Sequence, residues 1–342
     1  SWFGTDLRAG FCAIKPGVEI SSKATAPDAW QVDGMTRATA HLVSTVNGIP
    51  AFGGTPSDAS VVRAIADLKA RGLKILFYPF IMMDIAAGNA LADPYTGAAG
   101  QPAYPWRGRI SCTPAPGVVG TVDKTAAAGA QIAALFGNAL GSQFAVSGTA
   151  VSYTGPADWG LRRMILHYAQ LCKAAGGVDG FLIGSELRGV TSVRDSASNF
   201  PAVNQLAVLA GDVKALLPGA KISYAADWSE YFGHQPGDGS GDVYFHLDPL
   251  WSNANVDFIG IDTYMPLSDW REGTAHLDAQ LAPHIYDLAY LRGNIRGGEG
   301  YEWYYANAAD RVNQIRSPIS DGVYGKPWVF RYKDLWNWWG QQ

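Results

Sequence analysis

Val178-Asp-Gly-Phe-Leu-Ile183, running into Gly184-Ser-Glu186, is the stretch on which the fold turns. It is short and apolar and follows a glycine stop, which suits a strand buried on both faces. The residues before it, 156–177, carry Trp159, Met164, Ile165, Tyr168 and Leu171 on one helical stripe and end at Gly177. An amphipathic helix, a glycine stop and an apolar strand make one unit, and that unit recurs. Residues 57–72 place Val61, Val62, Ile65, Ala66 and Leu68 on one stripe, with Ser57 or Asp58 as N-cap and Gly72 as C-cap. They lead into Leu73-Lys-Ile-Leu-Phe-Tyr-Pro-Phe80. Residues 201–219 lead into Lys221-Ile-Ser-Tyr-Ala-Ala226, and a further strand is expected at 256–261, followed by a helical stretch over 276–291.

Strands alternating with helices predict an α/β fold with a parallel sheet. A TIM (β/α)8-type barrel and a doubly wound open sheet both fit that alternation. Two features favour the barrel. No glycine-rich phosphate loop follows any strand, and polar residues gather after many different strands, as on the catalytic face of a barrel. The expectation is one barrel-like domain over residues 1–342, with long loops at 85–120 and 228–251 that serve as lids or binding loops. The chain shows no secretion signal, lacks an initiator Met and opens abruptly at Ser1-Trp-Phe3, so it is expected to be a fragment of something longer or a processed product.

Composition narrows the function. The chain has 342 residues, 48% of them hydrophobic, enough for a large core, and a net charge of -4. No cluster of Lys or Arg offers a nucleic-acid surface. The apolar run 73–83 is about half the length of a membrane span, so no membrane insertion is expected. Cys12, Cys112 and Cys172 are odd in number and far apart, and read as ordinary thiols. No His or Cys spacing suggests a metal, and no cofactor is expected. Asp238-Gly-Ser-Gly-Asp242 lacks the terminal Glu of a calcium loop and reads as a turn. His167 and Cys172 fall within a helix and read as packing residues.

The chemistry centres on carboxylates. Glu186 follows the strand at 178–183, where a buried strand should open onto a barrel mouth. Cleavage of a glycosidic bond needs a proton donor and a second carboxylate, and Glu186 has the right location for the donor. The alternative is a strand-end ion pair with Arg188 or Arg162. Asp84, Asp227 and Asp262 emerge at comparable strand ends, and Glu230 lies three residues beyond Asp227. Trp106, Trp228, Tyr231, Trp251, Tyr264 and Trp270 fall after strands or in the long loops. Flat aromatic faces cover the apolar face of a pyranose, although each of these rings could equally be a core plug.

Trp2-Phe-Gly-Thr-Asp-Leu-Arg-Ala-Gly10, Tyr78-Pro-Phe-Ile-Met-Met-Asp84, Pro105-Trp-Arg-Gly-Arg109 and Gly184-Ser-Glu-Leu-Arg-Gly189 are long, specific motifs. So are Tyr224-Ala-Ala-Asp-Trp-Ser-Glu-Tyr231, Phe245-His-Leu-Asp-Pro-Leu-Trp251 and Gly260-Ile-Asp-Thr-Tyr264. Together they resemble, over essentially the whole chain, the glycoside-hydrolase TIM-barrel-like domain in the large tail protein of gene transfer agents and related phages. The resemblance implies a tail-tip or baseplate module of a phage-like particle, with other tail subunits and a cell-envelope glycan (peptidoglycan or surface polysaccharide) as partners. It implies that Glu186 is the general acid/base after the fourth barrel strand. It also implies a nucleophile after a later strand, in a Thr-Glu-Leu-Gly-like motif. The chain ends at Trp338-Trp-Gly-Gln-Gln342 without that motif, so the barrel is expected to be incomplete or irregular at its C-terminal end. The second catalytic carboxylate stays open among Asp227, Glu230, Glu299, Glu302 and Asp334, the last following the strand expected at Lys326-Pro-Trp-Val-Phe330. Arg109 joins Asp84, Asp262 and the six aromatic residues as an expected glycan-binding group. The competing function is a catalytically inactive structural or receptor-binding module on the same scaffold.

Overall fold

The computed structural model of the chain describes residues 2–3, 17–24, 29–79, 81–320 and 332–341. The strand expected at Lys326-Pro-Trp-Val-Phe330, Cys12 and most of the motif running from Trp2 to Gly10 lie outside the described residues. The chain falls into two compact units. One comprises Ser1–Asp227 with Gly233–Ile261, the other Trp228–Phe232 with Asp262–Gln342.

Parallel strands organise the first unit. In chain order they are β1 (Leu76–Phe77), β2 (Gly180–Ser185), β3 (Lys221–Asp227) and β4 (Gly260–Asp262). Their order across the sheet is β4-β3-β2-β1, and β2 pairs in parallel with both β1 and β3. The helices are α1 (Asp58–Ala70), α2 (Ala126–Phe136), α3 (Leu161–Ala174), α4 (Arg188–Thr191) and α5 (Pro201–Leu216). A helix therefore precedes β1, β2 and β3, as the repeating unit in the sequence requires. Among the described residues no hydrogen-bonded strand joins β1 back to β4. Among the described residues the parallel sheet ends at β1 and β4, and Leu76 in β1 and Phe258 and Ile259 just before β4 are exposed.

All six residues of β2 are buried, which explains its unbroken apolar composition. Phe181 of β2 stacks on Phe77 of β1 at 5.6 Å, and Phe77 meets Tyr168 of α3 at 5.4 Å. Twelve consecutive residues of α3, from Leu161 to Cys172, are buried, so the helix is enclosed well beyond one stripe. Its two arginines are accommodated by partners: Arg162 donates to the Ala139 carbonyl at 3.1 Å, and Arg163 Nε to Asp33 at 2.7 Å.

A shared device aligns the strands where they begin. The Asp179 carboxylate accepts the backbone N–H of Ile75 at 2.9 Å and the ammonium of Lys74 at 2.8 Å, clipping β2 to β1. Asp257 repeats it, accepting the N–H of Ile222 at 2.8 Å and Lys214 at 2.7 Å to hold the approach to β4 against β3. Both acids follow a valine, Val178 and Val256, immediately before an apolar strand.

Several boundaries differ from the sequence expectation. The register of β2 begins at Gly180, although the Asp179 backbone already bonds Ile75 at 3.0 Å and Lys221 at 2.9 Å. Of the described residues 73–79, Leu76–Phe77 forms the strand that pairs with β2, and a second short strand, Ile81–Met82, pairs in parallel with Trp2–Phe3. Ser57 is the N-cap of α1 and accepts from the Ser60 N–H at 3.2 Å, while the C-cap is Arg71, with Gly72 next at φ +73°. α3 starts at Leu161, five residues later than expected. The helix expected over 276–291 reduces to a 3-10 turn, Asp278–Gln280, and a short helix, Leu288–Gly293. Pro283 lacks the N–H a continuous helix needs, and Asp287 restarts the helix by capping the Tyr290 N–H. No helix among the described residues is long and apolar enough to cross a membrane.

The second unit has short elements around a polar centre. An antiparallel pair joins Trp303–Tyr304 to Ser317–Pro318. Arg316 bridges Asp269, at 3.0 Å, and Asp278. The Tyr305 hydroxyl donates to Asp269 at 2.6 Å and that of Tyr290 donates to Asp278. Trp338 is buried against Tyr231 and Phe232, with ring centroids 6.3 and 5.8 Å away.

Candidate active site

Glu186 stands immediately after β2, and its orientation is set by two backbone irregularities. Leu182 pairs with Ser223 and Ser185 with Ala225, so β2 has one residue more than β3 over that interval, a β-bulge. Glu186 itself is at φ +49°, the left-handed region that side chains other than glycine, Asn and Asp rarely occupy. Its N–H still reaches the Ala225 carbonyl at 2.8 Å, and the Leu187 N–H bonds the Tyr224 hydroxyl at 2.6 Å. These bonds hold the strained residue in place.

The carboxylate is 2% exposed. Its Oε2 accepts the indole N–H of Trp106 at 2.5 Å and pairs with the Arg107 guanidinium at 2.9 Å. Arg107 also donates from Nε and Nη2 to the Ser185 hydroxyl, at 3.0 and 2.6 Å. Tyr78 donates to the same oxygen at 2.6 Å. The ion-pair partner of Glu186 is therefore Arg107, not Arg188 or Arg162. Arg162 pairs instead with Asp212 at 2.5 Å.

Trp106 and Arg107 come from a 3-10 turn, Arg107–Arg109, with Trp106 as its N-cap. Two glycines allow the turn to sit where it does. A Cβ at Gly108 would stand 2.3 Å from carbons of the Trp106 ring, so the ring lies against the glycine backbone. A Cβ at Gly189, in α4, would meet the carbonyl oxygens of Ile110 at 2.5 Å and Gly108 at 2.7 Å. The turn alternates its basic side chains. Arg107 reaches inward to Glu186, whereas Arg109 pairs with Asp93 at 3.0 Å and lies over the Tyr95 ring at 4.6 Å.

The outer side of this turn lines a cleft of about 360 Å³, together with α4 and the segment from His234 to Asp238. Trp106, 41% exposed, belongs to its wall. His234 in the same wall is held down to about 4, by burial first and then by the charges of Arg194 and Arg188, and is neutral at pH 7. Burial, with the charge of Asp123, pushes the Cys112 thiol up to about 11, and both Cys112 and Cys172 are buried and free.

The other residues proposed from the sequence have the following local surroundings. Asp84 is buried and accepts the N–H of Ser44 at 2.8 Å as well as its hydroxyl. Asp227 is buried at the end of β3. Trp251 packs on Tyr224 with centroids 6.3 Å apart. Trp228, Glu230, Tyr231, Asp262, Tyr264 and Trp270 belong to the second unit. There Trp228 meets Tyr332 edge-on at 5.0 Å, and its N–H bonds the Asp262 carbonyl at 3.1 Å. Glu230 is buried, and Tyr231, 3% exposed, donates its hydroxyl to the Tyr332 carbonyl at 2.9 Å. Trp270 packs on His276 at 4.7 Å, and Tyr264 is exposed. A hydrogen bond joins Glu186 to Trp106, and Arg109 stands on the same turn as Trp106. Arg107 and Ser185 complete the cluster. Arg107 stood in a quoted motif, but sequence spacing does not say which arginine of a tight turn faces inward. Among the described residues no three His, Cys, Asp or Glu side chains are placed to hold a metal ion.

No curated protein matches the chain. Residues 159–342, just over half of it, match the family model described as the GTA TIM-barrel-like domain. Glu186, α5, β3 and β4 fall inside the matched stretch, whereas Trp106 and Arg107 precede it. With more than half its length accounted for in this way, the chain belongs to the GTA TIM-barrel-like domain family.

Proposed function

We propose that this protein is a module of the tail of a gene-transfer-agent-like particle that engages a cell-envelope glycan, with Glu186 as the acid of its site. The single observation that carries the reading is Glu186 itself. A glutamate at the C-terminal end of a buried parallel strand, placed by a bulge and held at φ +49°, stores strain of the kind concentrated at functional sites. The neighbouring Trp106 supplies an exposed ring of the sort that covers a sugar face. In hydrolysis Glu186 would protonate the leaving glycosidic oxygen, and a second carboxylate roughly 5–9.5 Å away would act as nucleophile or activate water.

The burial of Glu186 and its pairing with Arg107 favour a second reading, a module that binds glycan without cleaving it. Both neighbours donate to the same carboxylate oxygen, Oε2, and tie it to the protein. One assay separates the two readings. Wild type and Glu186→Gln are compared for release of reducing sugar from purified peptidoglycan and capsular polysaccharide. Release that falls at least about 100-fold in the variant supports the acid role. Binding without release by either protein supports the non-cleaving module.

A further inference from the structure

The cleft beside Glu186 contains an unanswered charge. Its basic groups are Arg109, Arg188 and Arg194, with Lys124 at its edge through Asp238. Three acids answer three of these four. Asp93 pairs with Arg109 at 3.0 Å, Asp123 with Arg194 at 2.6 Å, and Asp238 with Lys124 at 3.0 Å. Asp238 also lies 3.4 Å from Arg194. Arg188 is exposed, and among the described residues its guanidinium has no side-chain hydrogen bond or ion pair. Arg188 is the first residue of α4, the short helix that Gly189 lets approach the Trp106 turn. One wall of the cleft is therefore a flat indole, fixed from behind by its N–H bond to Glu186 and by its seat on Gly108. The lining also includes Arg188, a cation with open hydrogen-bonding capacity, and Ser192. A volume of about 360 Å³ falls within the ~300–1,000 Å³ range of small-ligand clefts.

We propose that this cleft is a subsite for a carboxylate-bearing sugar residue, whose ring stacks on Trp106 and whose carboxylate pairs with Arg188. The proposal rests on the glycan reading above and narrows it to acidic glycans. Arginine suits the role because its planar fork matches a carboxylate in a bidentate geometry. A neutral sugar gains no such charge-assisted pair, so the subsite favours the acid over the neutral form of one ring. Trp106 touches both the subsite and Glu186, which places the acidic residue one indole away from the strand-end carboxylate.

The test uses the full chain and two probes of the same shape, the disaccharide N-acetylglucosaminyl-N-acetylmuramic acid and its carboxyl methyl ester. Calorimetric titration of wild type should show the free acid bound about tenfold tighter than the ester, the gain expected of one charge-assisted pair. Arg188→Gln should abolish that preference while leaving ester affinity unchanged, and Arg188→Lys should restore part of it. Because Arg188 is exposed, the melting temperature serves as a fold control and should not move. Equal binding of acid and ester by wild type overturns the acidic subsite but leaves the glycan reading standing. An acid preference that survives in Arg188→Gln also overturns it. Binding of neither probe overturns the subsite and counts against the glycan reading as well.

Discussion

At the scale of the residue, the Glu186–Arg107 pair decides what can be altered. Both side chains are nearly enclosed, and the Arg107 guanidinium serves Glu186 and Ser185 at once. Removing one partner of such a pair leaves the other charge buried without its counterion, which typically costs about 3–5 kcal/mol. Arg107→Ala should therefore destabilise the first unit by that order, measured as a shift in urea midpoint at constant slope. Arg107→Lys should recover little, since an ammonium cannot span two acceptors in one plane. Glu186→Gln keeps the side-chain shape and should cost less than Arg107→Ala, and the double variant should fall short of the sum. The strand-end position of Glu186 was legible in the sequence, because an apolar run precedes it. Its partner was not, because Arg107 is about 80 residues away and only the fold of the intervening chain brings it near.

At the scale of the element, the site depends on the 3-10 turn at Arg107–Arg109 touching α4 backbone to backbone. Gly189→Ala puts a methyl group 2.5 Å from a carbonyl oxygen that cannot swing aside as a side chain end could. The expected result is a loss of about 1–3 kcal/mol in stability as the Trp106 turn is pushed away, read by thermal melting and urea titration. The helix-then-strand units were legible because periodicity switches from helical to continuous apolar at a glycine, and the three α-β pairs stand where that switch falls. α2 was not legible: Ala126-Ala-Ala-Gly-Ala-Gln-Ile-Ala-Ala-Leu-Phe136 has too few large side chains to mark a stripe. The hairpin formed by Phe144–Ser147 and Ala150–Tyr153 was missed as well, being short and largely exposed. The bulge in β2 also left no mark, since it arises from register between two strands and not from either strand alone.

At the scale of the whole molecule, the first unit is tied together by a buried charge cluster drawn from distant segments. His167 of α3 lies 2.9 Å from Asp58 of α1 and 3.4 Å from Asp33, which also binds Arg163. Asp58 in turn accepts the N–H groups of Asp33 and Val151, at 3.2 and 3.1 Å. Burial alone would lower the His167 pKa, but hydrogen bonds and the charges of Asp33 and Asp58 outweigh it and raise the group to about 9. A folded value above the unfolded ~6.5 means that the imidazolium adds stability fully below pH ~6.5, and that this is lost as pH rises through about 9. The contribution is on the order of 3 kcal/mol. Urea midpoints should fall between pH 6 and pH 10 in wild type, and His167→Gln should be less stable at pH 6 with a flatter profile. By itself the sequence determined the α/β class, the parallel sheet, the order of its helices and strands and the strand-end position of Glu186. Those properties follow from hydrophobic period and glycine placement, which are local. Only the tertiary structure decided which charges meet, that His167 joins a buried ionic cluster, and that Trp106 and Arg107 share one carboxylate. Each of these is a contact between residues far apart in the chain, fixed by packing that no local pattern encodes.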